Sequence, residues 1–348
     1  MAIQTVLVCE TQVPFVSGGA ESLVRGLVDE LRARGYEADL VSVPFKWYPK
    51  EEILAHAVAW RLLDLSESNG RPVDLLIGTK FPSYCARHPR KAAWLIHQHR
   101  AAYDLCGTEY SDFRHAELDI GIRQKLMELD RQMLEECRPR FTISETTTRR
   151  LEQFNGVRAD PLYPPPRLAG RLRAGPYGNY VLSVGRLVLI KRVDLLLKAM
   201  PDVDPSLRLI IVGEGPDREI FEAVAEACGL DGRVDFVGRV SDETLLELYA
   251  GALAIAFVPY DEDYGLVTLE AFLSRKPVVT ANDSGGTLEF VEDGVNGVVC
   301  APEADAVADA LNRLVADRGL AASLGDAGYE RARHITWDTV IEKLVVGC

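Results

Sequence analysis

The sequence predicts an α/β protein with two domains, each built from parallel strands that alternate with helices. Three observations support this prediction. The chain has 348 residues, which is long for a single domain. Short apolar segments alternate with helical patterns along both halves. Between the halves, the segment YPPPRLAGRLRAGPYGN (163–179) is rich in proline and glycine and has the composition of a linker.

The first half opens with TVLVCE (5–10), a short apolar run that predicts a strand. AESLVRGLVDELRARG (20–35) follows with apolar residues at helical spacing and ends in a glycine, which is typical of a helix end. Further strands are predicted at 38–43, 73–79, 92–98 and 140–144, and helices at about 50–68, 119–137 and from 145.

After the linker the alternation resumes. Strands are predicted in YVLSVG, LRLIIVG, RVDFVG, LAIAFVP, PVVTAN and NGVVC, with helices such as DREIFEAVAEACGL and DETLLELYAGA between them. Parallel sheets bind ligands at the carboxyl ends of their strands, so we expect a site in the cleft between two such domains. The predicted boundaries are 1–165 for the first domain, 166–178 for the linker, 179–326 for the second domain and 327–348 for a helical tail.

Composition excludes several classes of protein. The net charge of −13 lies mostly in the second half and disfavours non-specific nucleic-acid binding. Seven cysteines without a C-x-x-C pair indicate reduced thiols in a cytoplasmic protein, not a disulfide scaffold or a zinc site. The N-terminal segment has no signal-peptide pattern, and no apolar run approaches the ~20 residues of a membrane helix.

Two segments could bind phosphate. In SGGAES (17–22), Gly18 and Gly19 at a helix start would let backbone N–H groups approach an anion, or would simply form a tight turn. In SVGRLVLIKR (183–192), Arg186 and Lys191 follow a strand and suit a pyrophosphate, although two solvated charges are the simpler alternative. VGEGPDRE (212–219) lacks the third glycine of a dinucleotide motif, so it predicts a close-packed turn.

A histidine ends one of the predicted strands. His97, in HQH (97–99), could donate a hydrogen bond to a substrate hydroxyl, whereas the commoner fate of a lone histidine is a satisfied place in a loop or core.

EDYGLVTLE (262–270) carries two carboxylates around the start of a predicted helix. The backbone amides of Gly265, Leu266 and Val267 would lack intrahelical partners and could bind phosphate oxygens. Glu262 could accept hydrogen bonds from sugar hydroxyls and Glu270 from a ribose diol; the alternative is a helix with an acidic residue at each end. DED (261–263) is similar to a metal-binding D-x-D, but we interpret it as loop and N-cap acids and expect no metal.

Together these motifs resemble a known family. The chain is similar to retaining glycosyltransferases of the GT-B fold with the E-x7-E signature (glycosyltransferase family 4, glycosyl transferases group 1). The resemblance rests on Glu262 and Glu270, on G-R-L-x-x-x-K at 185–191 and on Gly18-Gly19. It is nearly continuous from about 180 to 300 and looser in the first half. It implies two Rossmann-like domains facing each other across a cleft, with a C-terminal helix returning to the first.

The resemblance also implies roles for single residues. Gly19 would contact the donor phosphates, and Arg186 and Lys191 would hold the diphosphate. Glu262 would meet the donor sugar and Glu270 the ribose. The remaining implied donor contacts are Val240 at the base, Tyr264 where the family more often has Phe, and His97 near the sugar. Arg192 stands where the family often has Gly, which could alter the phosphate pocket.

The implied activity is transfer of a sugar from a nucleoside-diphosphate sugar, most simply a UDP- or GDP-sugar, to a hydroxyl of a glycan, lipid-linked sugar or small molecule. The implied route is front-face, retaining and free of metal and cofactor. Loss of Glu262 is then expected to leave the affinity for the bare diphosphate nearly unchanged. Alternatives are a GT-B-shaped epimerase or hydrolase and a non-catalytic sugar-nucleotide-binding protein. An oxidoreductase is disfavoured because no G-x-G-x-x-G occurs.

Overall fold

The computed structural model describes residues 3–16 and 18–347. It divides into two compact units. Unit 1 comprises the residues up to Arg167 together with those from Ile335 onward, and unit 2 is Leu168–His334. Across the described residues, no helix combines the length and apolar character needed to cross a membrane.

Unit 1 contains a sheet of six parallel strands in the order β2-β1-β5-β6-β7-β8. A short antiparallel hairpin, β3 with β4, lies outside this sheet. The strands are β1 (Thr5–Gln12), β2 (Glu37–Pro44), β3 (Glu67–Ser68), β4 (Arg71–Pro72), β5 (Leu75–Gly78), β6 (Lys91–Leu95), β7 (Arg140–Thr142) and β8 (Asp160–Pro161). β5 and β6 are buried throughout, as expected for central parallel strands.

Among the described residues before the linker, the α-helices are α1 (Gly19–Ala33), α2 (Ile53–Leu62), α3 (Glu117–Glu135) and α4 (Glu145–Asn155). The buried residues of α1 recur at helical spacing, which explains why this segment packs on the sheet as a helix. α4 is capped at its N-terminus by Ser144, whose hydroxyl accepts the Thr147 N–H at 3.0 Å, and is followed by Gly156 with φ of 66°. This is a polar cap followed by a left-handed glycine stop.

Unit 2 repeats the architecture with six parallel strands in the order β11-β10-β9-β12-β13-β14. The strands are β9 (Tyr180–Val184), β10 (Arg208–Val212), β11 (Val234–Gly238), β12 (Ala254–Ala256), β13 (Val278–Ala281) and β14 (Gly297–Cys300). The helices are α5 (Val193–Ala199), α6 (Arg218–Ala227), α7 (Asp242–Gly251), α8 (Leu266–Leu273), α9 (Ala304–Ala316) and α10 (Arg318–Ala332).

β9 is the strand at which the order of unit 2 reverses. The chain passes from β9 to β10 on one side, and β12 later pairs with β9 on the other. In open α/β sheets, the carboxyl end of such a strand borders a crevice that ligands occupy. The loop after β9 is therefore the first place to search for a site in this unit.

The last helix, α11 (Trp337–Ile341), belongs to unit 1 and is followed by a π-helical turn at Glu342–Val346. The Trp337 ring packs edge-on against Trp94, with ring centroids 6.1 Å apart. A Cβ placed on Gly26 would lie 3.1 Å from the Trp337 ring, so α1 offers this tryptophan a glycine-sized gap. Arg34 also forms an ion pair with Asp338. Residues from both ends of the sequence thus build one unit.

Candidate functional site

The loop after β9 packs backbone against backbone on the turn after β10. The Gly185 N–H donates to the Val212 carbonyl at 3.0 Å, and the Leu187 N–H donates to the Glu214 carbonyl at 3.0 Å. A Cβ on Gly213 would lie 1.9 Å from the Gly185 oxygen, and a Cβ on Gly215 would lie 2.1 Å from the Leu187 oxygen. Glycine is required at both positions because no side chain fits between the two loops.

Two cations follow on this loop. Arg186 is exposed, and no described residue lies within hydrogen-bonding distance of its side chain. Lys191 forms an ion pair with Glu262, and the two side chains are 23% and 18% exposed. The Lys191 ammonium also lies 5.5 Å from the centroid of the Phe257 ring. The sequence prediction had placed Lys191 and Glu262 on one ligand, and the structure brings them into direct contact.

Arg192 has a left-handed backbone with φ of 50°. Its guanidinium forms a bidentate ion pair with Asp283, with N···O distances of 2.8 and 2.6 Å. It also donates hydrogen bonds to the carbonyls of Val258 at 2.8 Å and Pro259 at 2.9 Å. These bonds offset the backbone strain, which costs about 1–2 kcal/mol for a residue with a Cβ. The arginine therefore joins the loop after β9 to the loops after β12 and β13.

The segment after β13 supports the loop that carries Glu262. The Gly286 N–H donates to the Glu262 carbonyl at 2.7 Å, and the Asp261 N–H donates to the Asp283 carbonyl at 2.9 Å. A Cβ on Gly285 would lie 2.5 Å from the Glu262 oxygen. Sequence reasoning assigned no role to the glycine pair, Gly285 and Gly286. Two adjacent glycines in the short loop after a strand were the signal that another backbone approaches there.

The loop after β12 ends at Gly265, which has φ of 81° and precedes α8. The first amides of α8, at Leu266 and Val267, point toward the helix N-terminus, where intrahelical acceptors are lacking. A Cβ on Gly265 would lie 2.8 Å from the Thr287 hydroxyl. The Tyr264 side chain is 2% exposed and packs edge-on against Phe290, so its ring belongs to the core.

Glu270 lies on α8 and accepts a hydrogen bond from the Tyr249 hydroxyl at 2.6 Å. Burial and the Glu270 charge raise the pKa of Tyr249 well above its ordinary value, so the phenol remains a donor. Val240 lies between β11 and the Ser241 cap of α7 and is partly buried. Val240, Arg186, Lys191 and Glu262 follow strand ends on the same edge of the unit 2 sheet, and Glu270 lies on α8 beside it.

In unit 1, Gly18 caps α1 and Gly19 is its first residue, whereas Ser17 lies outside the described residues. Glu21 accepts the Gly18 N–H at 2.9 Å and forms a buried ion pair with Lys80 at 2.6 Å. Burial by itself would raise the pKa of Glu21, but Lys80 and the Gly18 amide lower it below the usual range. Sequence reasoning missed this pair, which fixes the glycine turn at the start of α1.

The two histidines of HQH have different surroundings. His97 is partly exposed, and its Nδ1 lies 2.7 Å from the Gln98 carbonyl. In the neutral ring this contact places the proton on Nδ1 and leaves Nε2 as an acceptor. His99 lies among the rings of Phe45, Phe81 and Phe113, and its Nε2 has no partner among the described residues. Of the two rings, His99 is the one enclosed by aromatic side chains, so His97 remains the candidate for a ligand contact.

Because burial lowers the pKa of His99 to about 4, we predict a stability effect in mild acid. Unfolding would restore a pKa near 6.5, so the stability is fully present above that pH and is lost as the pH falls toward 4. The His99 contribution should fall by about 2 kcal/mol between pH 7 and pH 5. Urea unfolding of wild type and His99→Gln at both pH values measures it. Parallel pH profiles for the two proteins would contradict the prediction.

Comparison with known proteins finds a family match in the second half of the chain. Residues 171–331 match the family "Glycosyl transferases group 1", and these residues hold all the unit 2 positions described above. Unit 2 thus carries the family domain that the resemblance had implied. Within the described residues, no group of three or more histidine, cysteine, aspartate or glutamate side chains could hold a metal ion.

Curated relatives extend the match beyond this domain. The chain is 32% identical over 246 residues to a D-inositol 3-phosphate glycosyltransferase of Nocardia farcinica, which is 65% of this chain and 54% of that protein. It is 35% identical over 205 residues to a GDP-mannose-dependent alpha-(1-6)-phosphatidylinositol monomannoside mannosyltransferase of Mycobacterium tuberculosis, which is 54% of this chain and 53% of that protein. The chain thus spans about half the length of the curated relatives it matches.

Solved structures share the fold of nearly the whole chain. Sucrose-phosphate synthase from Thermosynechococcus elongatus aligns with a TM-score of 0.74 at 20% identity, covering 97% of this chain and 96% of that one. The Anabaena protein HepE in complex with UDP-glucose aligns with a TM-score of 0.71 at 17% identity, covering 99% and 98%. The predicted fold class, GT-B with two parallel-sheet α/β domains, is confirmed.

Proposed function

We propose that this chain is a retaining glycosyltransferase of the glycosyl transferases group 1 family that moves a sugar from a nucleoside-diphosphate sugar to an acceptor hydroxyl. The observation that carries the proposal is the cluster at the carboxyl edge of the unit 2 sheet. It combines two cations, a helix N-terminus and two carboxylates around the strand where the sheet order reverses. A ligand with phosphates between two diols matches that arrangement of donors and acceptors.

In this proposal the diphosphate is held by Arg186, Lys191 and the first amides of α8. Each is a hydrogen-bond donor, and the two side chains add the positive charge that offsets the phosphate oxygens. Glu270, already oriented by the Tyr249 hydroxyl, would accept the ribose hydroxyls, and Val240 would lie against the base. The glycines at 213 and 215 keep the loop that carries Arg186 in place.

The residues assigned to the transferred sugar are Glu262 and His97. A carboxylate such as Glu262 accepts hydrogen bonds from two sugar hydroxyls at once, and His97 with its proton on Nδ1 would accept a hydrogen bond from a sugar hydroxyl at Nε2. We assign Gly19 to the donor phosphates through the N-terminus of α1, with Gly18 shaping the turn while its N–H is donated to Glu21.

The proposed mechanism is front-face transfer. The C1–O bond to the diphosphate breaks as the acceptor oxygen bonds to C1 on the same face, and the departing phosphate takes the acceptor's proton. The protein then contributes positioning and electrostatic stabilisation of the leaving diphosphate. Glu262 and Glu270 are assigned to different ends of the donor, so they do not form a glycosidase pair flanking one bond.

Transfer itself tests the proposal. The purified chain is incubated with UDP-glucose or GDP-mannose, the donors named among the similar proteins, together with inositol 3-phosphate or phosphatidylinositol mannoside. We expect release of UDP or GDP to depend on an acceptor and the product to keep the α configuration, which proton NMR measures. Release without an acceptor indicates a hydrolase or epimerase, and binding without release indicates a sensor. An inverted product would contradict the front-face route.

We also expect turnover to survive excess EDTA. Arg186, Lys191 and the amides at the start of α8 supply the positive charge that a divalent cation supplies elsewhere. The rate is measured before and after treatment with EDTA, and again after manganese or magnesium is added back. Activity that disappears and returns specifically with manganese would restore a metal-binding interpretation of DED (261–263).

A further inference from the structure

The ion pair between Lys191 and Glu262 joins two residues to which the proposed function gives different duties. Lys191 is assigned to the diphosphate and Glu262 to the transferred sugar. In the structure, the two side chains form an ion pair with each other. A ligand that takes Lys191 must therefore break the ion pair and leave the Glu262 carboxylate in need of new partners.

We propose that this ion pair promotes product release, because it lowers the affinity for the bare nucleoside diphosphate relative to that for the intact donor. We call the pair the release latch, and the inference rests on the proposed function. The intact donor replaces both halves of the pair, because its phosphates bind Lys191 and its sugar hydroxyls bind Glu262. The bare diphosphate replaces only one half. After transfer, Glu262 re-forms its bond to Lys191 and thereby competes with the product for the same ammonium.

The surroundings of Glu262 restrict the movement of its loop and the partners available to its carboxylate. Its backbone carbonyl accepts the Gly286 N–H at 2.7 Å, and Gly285 packs against the same oxygen. The neighbouring guanidinium of Arg192 is held by Asp283 and two carbonyls, so it does not replace Lys191 as a partner. Both members of the pair are mostly shielded from solvent, so an unpaired carboxylate is poorly compensated by water.

The charge of the product adds to the effect. Transfer leaves a terminal phosphate with a second ionisable oxygen, whose pKa is near 6, so near neutral pH the product carries more negative charge than the diester of the donor. That additional charge develops on the side of the diphosphate from which the sugar has left. Glu262, assigned to that sugar, repels it. Sequence reasoning alone had predicted no effect of Glu262 on the bare diphosphate, and the ion pair changes that expectation.

The test is calorimetric binding of UDP and GDP to wild type and Glu262→Gln. Glutamine keeps the size and hydrogen-bonding capacity of the side chain but removes its charge. We expect the preferred nucleoside diphosphate to bind roughly three- to tenfold more tightly to the variant. The intact donor should gain nothing, because the amide accepts sugar hydroxyls less well than the carboxylate. The ratio of donor to product affinity should therefore fall.

A matched carboxylate provides the control. Glu270→Gln changes the other glutamate of the motif, which accepts a hydrogen bond from the Tyr249 hydroxyl. This substitution should weaken binding of the same nucleotide. Thermal unfolding near the wild-type temperature shows that each variant is folded. Equal or weaker nucleotide binding by folded Glu262→Gln would overturn the latch while leaving the proposed function intact. Wild type that binds neither UDP nor GDP would overturn both.

Discussion

Gly213→Ala is expected to lower the free energy of unfolding by about 2–5 kcal/mol and to weaken nucleoside-diphosphate binding. The glycine has φ of 134°, which a residue with a Cβ adopts only under strain, and the added methyl group would lie 1.9 Å from the Gly185 oxygen. The loop after β9 must move to make room, and Arg186 moves with it. Urea unfolding and calorimetry with UDP or GDP measure the two effects.

Gly229 offers a matched control for this substitution. It also has a positive φ, of 67°, but a Cβ there would meet nothing within 4 Å. Gly229→Ala should therefore show only the conformational penalty, about 1–2 kcal/mol, and unchanged nucleotide affinity. If both alanine variants bind the nucleotide as wild type does, the packing of these loops does not position the phosphate site.

Lys191→Met is expected to weaken binding of UDP or GDP by roughly 1.5–3 kcal/mol, about ten- to hundredfold. Methionine retains much of the aliphatic length near Phe257 but removes the charge that the proposal assigns to the diphosphate. Arg186→Met should act in the same direction, since that guanidinium is exposed and free of described partners. Calorimetry on both variants provides the measurement.

Lys198→Met is the matched comparison for Lys191→Met. Lys198 lies on α5 and pairs with Asp194 one turn earlier, with its side chain 54% exposed. Because exposed pairs of this kind contribute little, the substitution should change neither stability nor nucleotide affinity appreciably. Unaltered affinity in both Lys191→Met and Arg186→Met would remove these residues from the diphosphate site.

The fold class was predictable because alternating strand and helix patterns are local features of the sequence. The bounds of the elements were less predictable. The long helix predicted at 50–68 is shorter in the structure, where α2 spans Ile53–Leu62 and the β3–β4 hairpin follows it. The polar and glycine residues of that hairpin match a turn as well as a helix end. Likewise, the strand predicted to reach His97 ends at Leu95, which leaves HQH in a loop.

The site was predictable where its residues share one segment and not where they meet through the fold. Glu262 and Glu270 could be placed around a helix start from their spacing alone. The Lys191–Glu262 pair spans 71 positions, and the Arg192–Asp283 pair spans 91, so their meeting depends on the order of β9, β12 and β13. His97 and His99 likewise differ in their burial, and the sequence HQH by itself does not show which of the two histidines is buried.

The placement of α11 has a consequence for synthesis of the protein on the ribosome. Unit 2 is one uninterrupted stretch, Leu168–His334, whereas unit 1 needs Trp337 to fill the space beside Gly26 and Trp94. The ribosome has therefore synthesised all of unit 2 before it makes the last helix of unit 1. Most of the N-terminal unit is synthesised first, but this unit is the later of the two to complete its core. Until Trp337 is translated, the apolar surface around Trp94 lacks the side chain that covers it.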